Sequence, residues 1–227
     1  MNTLAERLAA TKAKISEECL KLVRDEPTLI VVTKNHPATL AEELFELGER
    51  NFGENRVQEA APKALELAER TQSDLVNWHL IGQLQTNKVK QALQFADSIH
   101  SLDRYSLLDE LVKRTLERNS PLEVFIQINL TPDEGRGGMQ EAQLLEFASK
   151  VASNPNLKLA GLMAVASLDV EPESDFERMA RLSETLVREH KTANGLSIGM
   201  SNDYLKALQF GATHLRIGTA ITGNRQY

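Results

Sequence analysis

Eight short β-rich runs alternate with amphipathic helical patterns along this chain of 227 residues. The predicted strands cover residues 29–33, 50–53, 76–81, 97–102, 122–130, 157–165, 195–199 and 213–217. The helical patterns cover residues 38–47, 54–70, 86–95, 106–118, 141–152, 174–189 and 202–210. Before the first strand, Thr3 and Glu6 form a capping box for one further helix. This alternation predicts a single α/β domain over residues 1–227, a (β/α)8 barrel of the TIM type with an extra N-terminal helix and no second domain.

A doubly wound open sheet is the alternative fold, because hydrophobic periodicity does not show whether a sheet closes. Segments 122–130 and 157–165 are near-continuous apolar runs, as a parallel sheet buried on both faces requires. Between residues 44 and 70, glutamates alternate with lysines and arginines. We interpret this charge pattern as a solvated helix face.

Composition excludes several classes of protein. The net charge of -6 argues against a nucleic-acid partner, whose phosphates need clustered lysine and arginine. No apolar run approaches the roughly 20 residues of a membrane span, and segment 1–10 lacks an apolar signal core. Cys19, the only cysteine, lies in a helical pattern without basic neighbours and is interpreted as a packing residue. We therefore expect a cytoplasmic protein with neither a nucleic-acid nor a membrane partner.

Lys34 is the residue that says most about function. It follows the apolar run 29–33 and precedes Asn35-His36-Pro37, which ends the strand. The carboxyl ends of strands form the rim where α/β folds hold their ligands, and a desolvated amine there titrates low enough to attack a carbonyl. The alternative is a surface lysine at the start of a loop.

Two loops near the C-terminus predict an anion site. Segment 199–203 follows the predicted seventh strand, and segment 216–220 closes the eighth. In many barrels these loops bind phosphate through backbone amides, a hydroxyl and a helix N-terminus. Ser201 and Asn202 stand at N-cap positions, and Gly218 permits close approach of the backbone. Ordinary capped turns explain each loop alone, whereas a strand-end lysine facing both loops suggests a phosphorylated aldehyde held as a Schiff base, such as pyridoxal 5'-phosphate.

Six segments, in order, resemble the pyridoxal phosphate homeostasis family, small barrel proteins similar to the N-terminal domain of alanine racemase. They are VVTK at 31–34, FGENRVQE at 52–59, WHLIGQLQTNK at 78–88, GLM at 161–163, GMSNDY at 199–204 and RIGTAI at 216–221. The resemblance runs over nearly the whole chain and implies pyridoxal 5'-phosphate as the cofactor.

The resemblance also implies which residues hold that cofactor. Lys34 would form the covalent aldimine, and Asn55 and Met200 would line the pocket near the ring. His79 matches a position under the cofactor, although a hydrogen-bonded barrel-core histidine is the alternative. The phosphate and ring-nitrogen positions are Ser201, Gly218 and Thr219 around the phosphate, and Arg216 beside the pyridine nitrogen.

The chain departs from the family pattern at two places. Asn35 and His36 stand where the family commonly has Thr-Lys, so one nearby positive charge is missing. Thr222 stands where the family commonly has a packing aromatic residue. Neither departure touches the aldimine or phosphate positions, so both concern the rim of the pocket.

The chemistry of Arg216 bears on turnover. Arginine only donates hydrogen bonds and stays charged, so it keeps a facing ring nitrogen unprotonated and weakens the ring as a sink for carbanion electrons. Racemisation would need a second base opposite Lys34, and the resemblance implies that racemases take a tyrosine from a separate C-terminal domain. The tyrosines here are Tyr105, Tyr204 and Tyr227, of which Tyr204 is the best candidate and is more simply a packing or capping residue.

Three functions follow from these residues. The first is a non-enzymatic carrier in pyridoxal phosphate homeostasis, with apo-enzymes that use the cofactor as candidate partners and no catalytic residue. The second is a racemase of the alanine racemase barrel type, and the third is a lysine-based aldolase, for which no acid/base partner is evident. His79, His100 and His214 lie on separate predicted strands without a carboxylate or cysteine at ligand spacing, so no metal site is expected. We expect a monomer.

Overall fold

Eight parallel strands close into a barrel in the computed structural model, which describes residues 2–73, 75–131, 133, 135, 137–167 and 171–223. The strands are β1 (Thr28–Val32), β2 (Asn51–Glu54), β3 (Asn77–Leu80), β4 (Ser98–Leu102), β5 (Leu122–Gln127), β6 (Leu157–Met163), β7 (Gly195–Ser197) and β8 (His214–Ile217). Closure is direct, because Val31 of β1 pairs with Phe52 on one side and with Ile217 on the other. The predicted barrel is confirmed, and the open-sheet alternative is wrong.

Helices follow the strands in the predicted order and cover the barrel. They are α1 (Leu4–Leu22), α2 (Ala38–Glu46), α3 (Val57–Thr71), α4 (Val89–Ala92), α5 (Tyr105–Arg114), α6 (Leu144–Ala152), α7 (Pro172–Glu189), α8 (Tyr204–Gln209) and α9 (Thr219–Thr222). Short 3-10 turns, Thr86–Lys88 and Glu141–Gln143, precede α4 and α6. The helix predicted from residue 54 begins three residues later, because Glu54 is the last residue of β2. No helix in these described ranges is long and apolar enough to cross a membrane.

The extra N-terminal helix α1 forms as predicted. Thr3 and Glu6 make both hydrogen bonds of the capping box. The side chain of Arg7 binds α1 to α9, since its Nε donates to the carbonyl of Ile221 over 2.6 Å. Cys19 is 2% exposed and burial raises the pKa of its thiol, as expected for a packing residue.

Apolar side chains fill the layer between strands and helices, whereas the inside of the barrel contains polar groups. Barrel interiors are ordinarily dominated by branched aliphatic residues. Here His79, His100, Ser197 and Arg216 are all buried. Hydrogen bonds connect these four side chains.

Candidate functional site

A cavity of about 550 Å³ opens at the carboxyl ends of the strands, on the rim where barrel proteins hold ligands. Six of the predicted site residues line it, and they are Lys34, Met200, Ser201, Arg216, Gly218 and Thr219. Two cavities of about 630 and 610 Å³ lie elsewhere on the molecule and contain none of the predicted residues. The chemistry of its walls, and not its size, therefore marks the rim cavity as the candidate site.

Lys34 lies just beyond the end of β1, in a turn where Asn35 takes the left-handed backbone conformation (φ 63°). The predicted position on the rim is confirmed. The side chain is solvent-exposed, however, so the expectation of a desolvated amine is wrong for this arrangement. Lys34 therefore contributes an exposed side chain to the cavity wall, whereas Arg216 contributes a buried one.

Ser201 connects the two C-terminal loops. Its Oγ accepts hydrogen bonds from the backbone amides of Gly218 over 3.2 Å and of Ala220 over 3.3 Å. The N-cap position of α8 belongs to Asp203, so the prediction that Ser201 or Asn202 caps that helix is wrong. The hydroxyl instead lies at the start of α9, where amide N–H groups and helix polarity favour an anion.

Gly218 has room for a side chain on the protein side. A Cβ placed there would lie 3.4 Å from the Cβ of Val32, which is ordinary van der Waals contact. Gly199 differs, because it has a φ of +89° and its Cβ would lie 2.7 Å from that of Ala207. Packing therefore requires glycine at 199 but not at 218. Glycine at 218 suits a backbone that a ligand approaches closely, which is the feature a phosphate cradle needs.

Arg216 forms the floor of the cavity. It is 3% exposed, and its Nη1 donates to the carbonyl and the hydroxyl of Ser197 over 2.6 and 2.7 Å. Its Nη2 donates to the carbonyl of Ala164 over 2.8 Å. Burial lowers the pKa of the guanidinium to about 10, so the group stays charged at neutral pH. Within the described ranges no carboxylate pairs with this cation, and these bonds use three of its five N–H donors.

His79 lies inside the barrel, away from the rim cavity. Its Nδ1 is 3.0 Å from Nε2 of His100, and its Nε2 is 3.1 Å from Oδ1 of Asn51. It lines a separate polar cavity of about 330 Å³ near the amino ends of the strands. Burial lowers its pKa to about 3, so it is neutral at physiological pH. This is the arrangement expected of a hydrogen-bonded core histidine, and a contact with a ligand stays a prediction.

Asn55 follows β2 and does not line the cavity. Its Oδ1 is buried and has no hydrogen-bond partner in the part of the chain that the structure describes. Its backbone packs so closely beneath Gly82 that a Cβ there would lie 2.2 Å from the carbonyl oxygen of Asn55. The buried amide oxygen leaves the predicted ring contact open as a prediction.

Glu54, Lys63 and Thr33 form a buried network that the sequence reasoning missed. Lys63 Nζ bonds a carboxylate oxygen of Glu54 and, over 2.8 Å, the carbonyl of Thr33. The hydroxyl of Thr33 donates to the same carboxylate oxygen over 2.7 Å. The interpretation of segment 44–70 as a solvated face is therefore wrong at this pair, which fixes the backbone immediately before Lys34.

The two tyrosines that the structure describes, Tyr105 and Tyr204, do not line the rim cavity. Tyr204 is 7% exposed in the apolar core, and burial raises the pKa of its phenol. Tyr105 packs edge-on against Phe147. Tyr227 lies outside the described residues. In the described ranges there is also no group of three or more His, Cys, Asp or Glu side chains that could hold a metal ion.

Sequence comparisons place these features in a family. The model of the family described as alanine racemase, N-terminal domain, matches residues 7–226. A pyridoxal phosphate homeostasis protein of Escherichia coli is 38% identical over 232 residues, covering 100% of this chain and 99% of that protein. The protein of the same name from Pseudomonas aeruginosa is 37% identical over 229 residues, covering 100% and 98%.

Solved structures agree with the sequence comparisons. PipY of Synechococcus elongatus with PLP bound has a TM-score of 0.84 at 33% identity, covering 96% of this chain and 99% of PipY. Alanine racemase from E. faecalis shares the fold at a TM-score of 0.69 and 19% identity, with 57% of that protein covered. The chain belongs to the family of pyridoxal phosphate homeostasis proteins.

Proposed function

We propose that this protein binds pyridoxal 5'-phosphate in the rim cavity and acts in cytoplasmic homeostasis of the cofactor, without robust catalytic turnover. The observation that carries the proposal is the convergence of three groups on one cavity: the Lys34 amine, the Ser201 hydroxyl at the start of α9, and the Arg216 guanidinium. The PLP-bound PipY structure and the names of the curated relatives support the same ligand.

The residues present fit the group. Ser201 would turn its hydroxyl from the α9 amides to the phosphate, leaving the amides of Gly218 and Ala220 as further donors. Thr219 lies beside them on the cavity wall, and Met200 contributes an apolar surface. Bound pyridoxal 5'-phosphate would supply an aldehyde, and the Lys34 amine would hold it covalently as a Schiff base, with loss of water.

Arg216 would limit what the bound cofactor does. Its guanidinium keeps its charge at neutral pH and offers only donors, so it holds a facing ring nitrogen unprotonated. An unprotonated ring accepts carbanion electrons poorly, which disfavours transamination and decarboxylation. The racemase alternative would further need a second base, and Tyr204 is buried in the core. Holding the cofactor is the role that these residues support best.

The proposal includes further predictions about the working protein. The chain would act as a single domain over residues 1–227 and as a monomer. Its partners would be apo-enzymes that take up the cofactor, which the exposed position of Lys34 favours because the amine is reachable from solvent.

An absorbance spectrum of the purified, PLP-loaded protein tests the binding mode. We expect a visible band that borohydride abolishes and that Lys34→Ala lacks. Lys206 offers a matched control, because it is a second lysine on the wall of the same cavity. Lys206→Ala should keep the band, and digestion after borohydride should yield the cofactor on Lys34. A protein that never becomes coloured, or a band lost only in Lys206→Ala, would refute this proposal.

Incubation with L- and D-alanine in deuterated water separates the carrier from the racemase. A carrier should exchange the α-proton far more slowly than a working racemase turns over. Exchange at turnover-like rates would overturn the carrier assignment in favour of the alternative. The variant Arg216→Glu should shift the band towards that of a protonated ring without creating robust transamination, and strong transamination would contradict the role given to Arg216.

A further inference from the structure

A chain of hydrogen bonds crosses the interior of the barrel from Arg216 to Asn51. The hydroxyl of Ser197 accepts from Arg216 over 2.7 Å and lies 2.9 Å from Nδ1 of His100. Nε2 of His100 lies 3.0 Å from Nδ1 of His79, whose Nε2 lies 3.1 Å from Oδ1 of Asn51. Five side chains on five strands thus connect the floor of the rim cavity with the polar cavity at the other end of the barrel.

The groups at the two ends of this hydrogen-bonded row, Arg216 and Asn51, determine which atom donates in each hydrogen bond. Arginine has no acceptor, so Ser197 must accept from it. Ser197 is fully buried, and the described residues offer its hydroxyl proton no acceptor other than His100. At the other end, Oδ1 of Asn51 also accepts from the side-chain Nδ2 of Asn77 over 3.3 Å, which marks Oδ1 as the acceptor from His79.

Only one set of protons satisfies both ends. His100 accepts at Nδ1 and carries its proton on Nε2, and His79 does the same. Both imidazoles must be neutral, since a proton on either Nδ1 would set two donors against each other. Burial lowers the pKa of both rings, which agrees with neutral forms. The ring of His100 also stacks on Phe125 with centroids 4.2 Å apart, so its orientation is fixed by packing.

Burying polar groups inside a barrel costs desolvation free energy unless each group is hydrogen-bonded. The described carboxylates form no ion pair with Arg216, so neutral acceptors alone hold the cation in place. We propose that His100 and His79 are positioning residues for Arg216, acting through Ser197 to fix the direction in which its guanidinium donates into the rim cavity. The donor presented to a bound ring would then be set by residues that do not line the rim cavity.

This inference rests on the proposed function, so its first test is made on the protein without added cofactor. Long-range proton–nitrogen correlation spectra report the tautomer of each imidazole, and the chain has only five histidines to assign. At neutral pH we expect both His79 and His100 to be neutral and protonated on Nε2. A charged ring, or an Nδ1-protonated tautomer at either position, overturns the proposal whether or not the protein binds PLP.

The second test follows the visible band and the affinity of the PLP-loaded protein. His100→Leu removes both hydrogen bonds and should shift the band and weaken cofactor binding about tenfold, the loss expected for a misaligned charged donor. His100→Gln keeps an acceptor and a donor at similar spacing and should restore both properties. Ser197→Ala, which leaves the backbone bond to Arg216 intact, should shift the band like His100→Leu and gives the same information if that variant does not fold.

A matched control comes from His214. Its ring centroid lies 6.1 Å from that of His100, but its Nδ1 contacts the hydroxyl of Thr213 and none of the five hydrogen-bonded side chains. His214→Leu should leave the band and the affinity as in the unmodified protein. A normal band and affinity in both His100→Leu and Ser197→Ala would overturn the proposal. An equal shift in His214→Leu would also overturn it, because it would show a general effect of core damage. A protein that never becomes coloured refutes the proposed function. The tautomers of His79 and His100 then test by themselves whether these residues position Arg216.

Discussion

Removal of Lys63 should destabilise the fold in a way that depends on pH. Its ammonium binds the carboxylate of Glu54, which is 0% exposed and whose second oxygen has no hydrogen-bond partner in the described ranges. Lys63→Met leaves that carboxylate buried without its cation, and losing one partner of a buried pair costs roughly 3–5 kcal/mol. The carboxyl group can escape part of this cost by taking up a proton.

The free-energy cost of protonating Glu54 determines how far Lys63→Met lowers the stability of the fold. From the ordinary pKa of 4.5, protonating the carboxyl at pH 7 costs about 3.4 kcal/mol, since each pH unit is worth about 1.4 kcal/mol. We therefore expect Lys63→Met to lower the free energy of unfolding by about 3–4 kcal/mol at pH 7. Burial already raises the pKa of Glu54, so the folded state of the variant binds a proton that the unfolded state lacks. Stability then recovers as the pH falls, by up to about 2.7 kcal/mol between pH 7 and pH 5.

Urea unfolding at both pH values measures this difference, with the unmodified protein as reference at each. The double variant Glu54→Leu/Lys63→Met replaces both charges and should recover much of the loss. Lys21→Met removes an exposed helical pair with Glu17 and should leave the urea midpoint unchanged. A loss in Lys63→Met that is equal at pH 7 and pH 5, or no loss at all, would refute the reasoning.

Three further predictions concern the site and the barrel interior. Ser201→Ala removes the acceptor of two backbone amides and should raise the dissociation constant for PLP about tenfold in an absorbance titration, whereas unchanged affinity would contradict its place in the phosphate cradle. Gly218→Ala should fold with a melting temperature close to that of the unmodified protein but bind PLP weakly, because the added Cβ meets the protein only at contact distance; full binding would show that no ligand approaches there. Burial lowers the pKa of His79 to about 3 and that of His214 to about 4, so on acidification the unfolded chain binds these protons at a higher pH than the folded protein does. The urea midpoint should therefore fall as the pH drops from 6.5 towards 4. A midpoint that rises over that interval would contradict burial of neutral rings.

Hydrophobic patterning was sufficient to predict the alternation of strands and helices, because most strands are short apolar runs between helical patterns. It did not show that the sheet closes, since closure depends on the pairing of β1 with β8. The strand ends were less accurate. β5 was predicted to residue 130 and ends at Gln127, and β6 was predicted to residue 165 and ends at Met163. Ile128 and Ala164, just beyond these ends, are buried, and a buried loop residue looks like a strand residue in sequence.

The positions of candidate-site residues could be predicted where a residue follows the end of a strand. Lys34 and Ser201 follow strands, and a strand end is visible in the pattern. The partners Glu54 and Lys63 are nine positions apart across a strand–helix turn, so their contact depends on how α3 lies on the barrel. The relay through His100 needs the register of several strands, which no local pattern contains.

The exposed position of Lys34 has a consequence for how much cofactor the proposed carrier would hold. If the proposed Schiff base forms on this exposed side chain, small amines in solution would reach it without opening of the fold. The fraction of protein that carries cofactor would then follow the surrounding concentration of free amines as well as that of the cofactor itself. The loaded fraction of the protein would therefore report the balance between free amines and free cofactor in its surroundings.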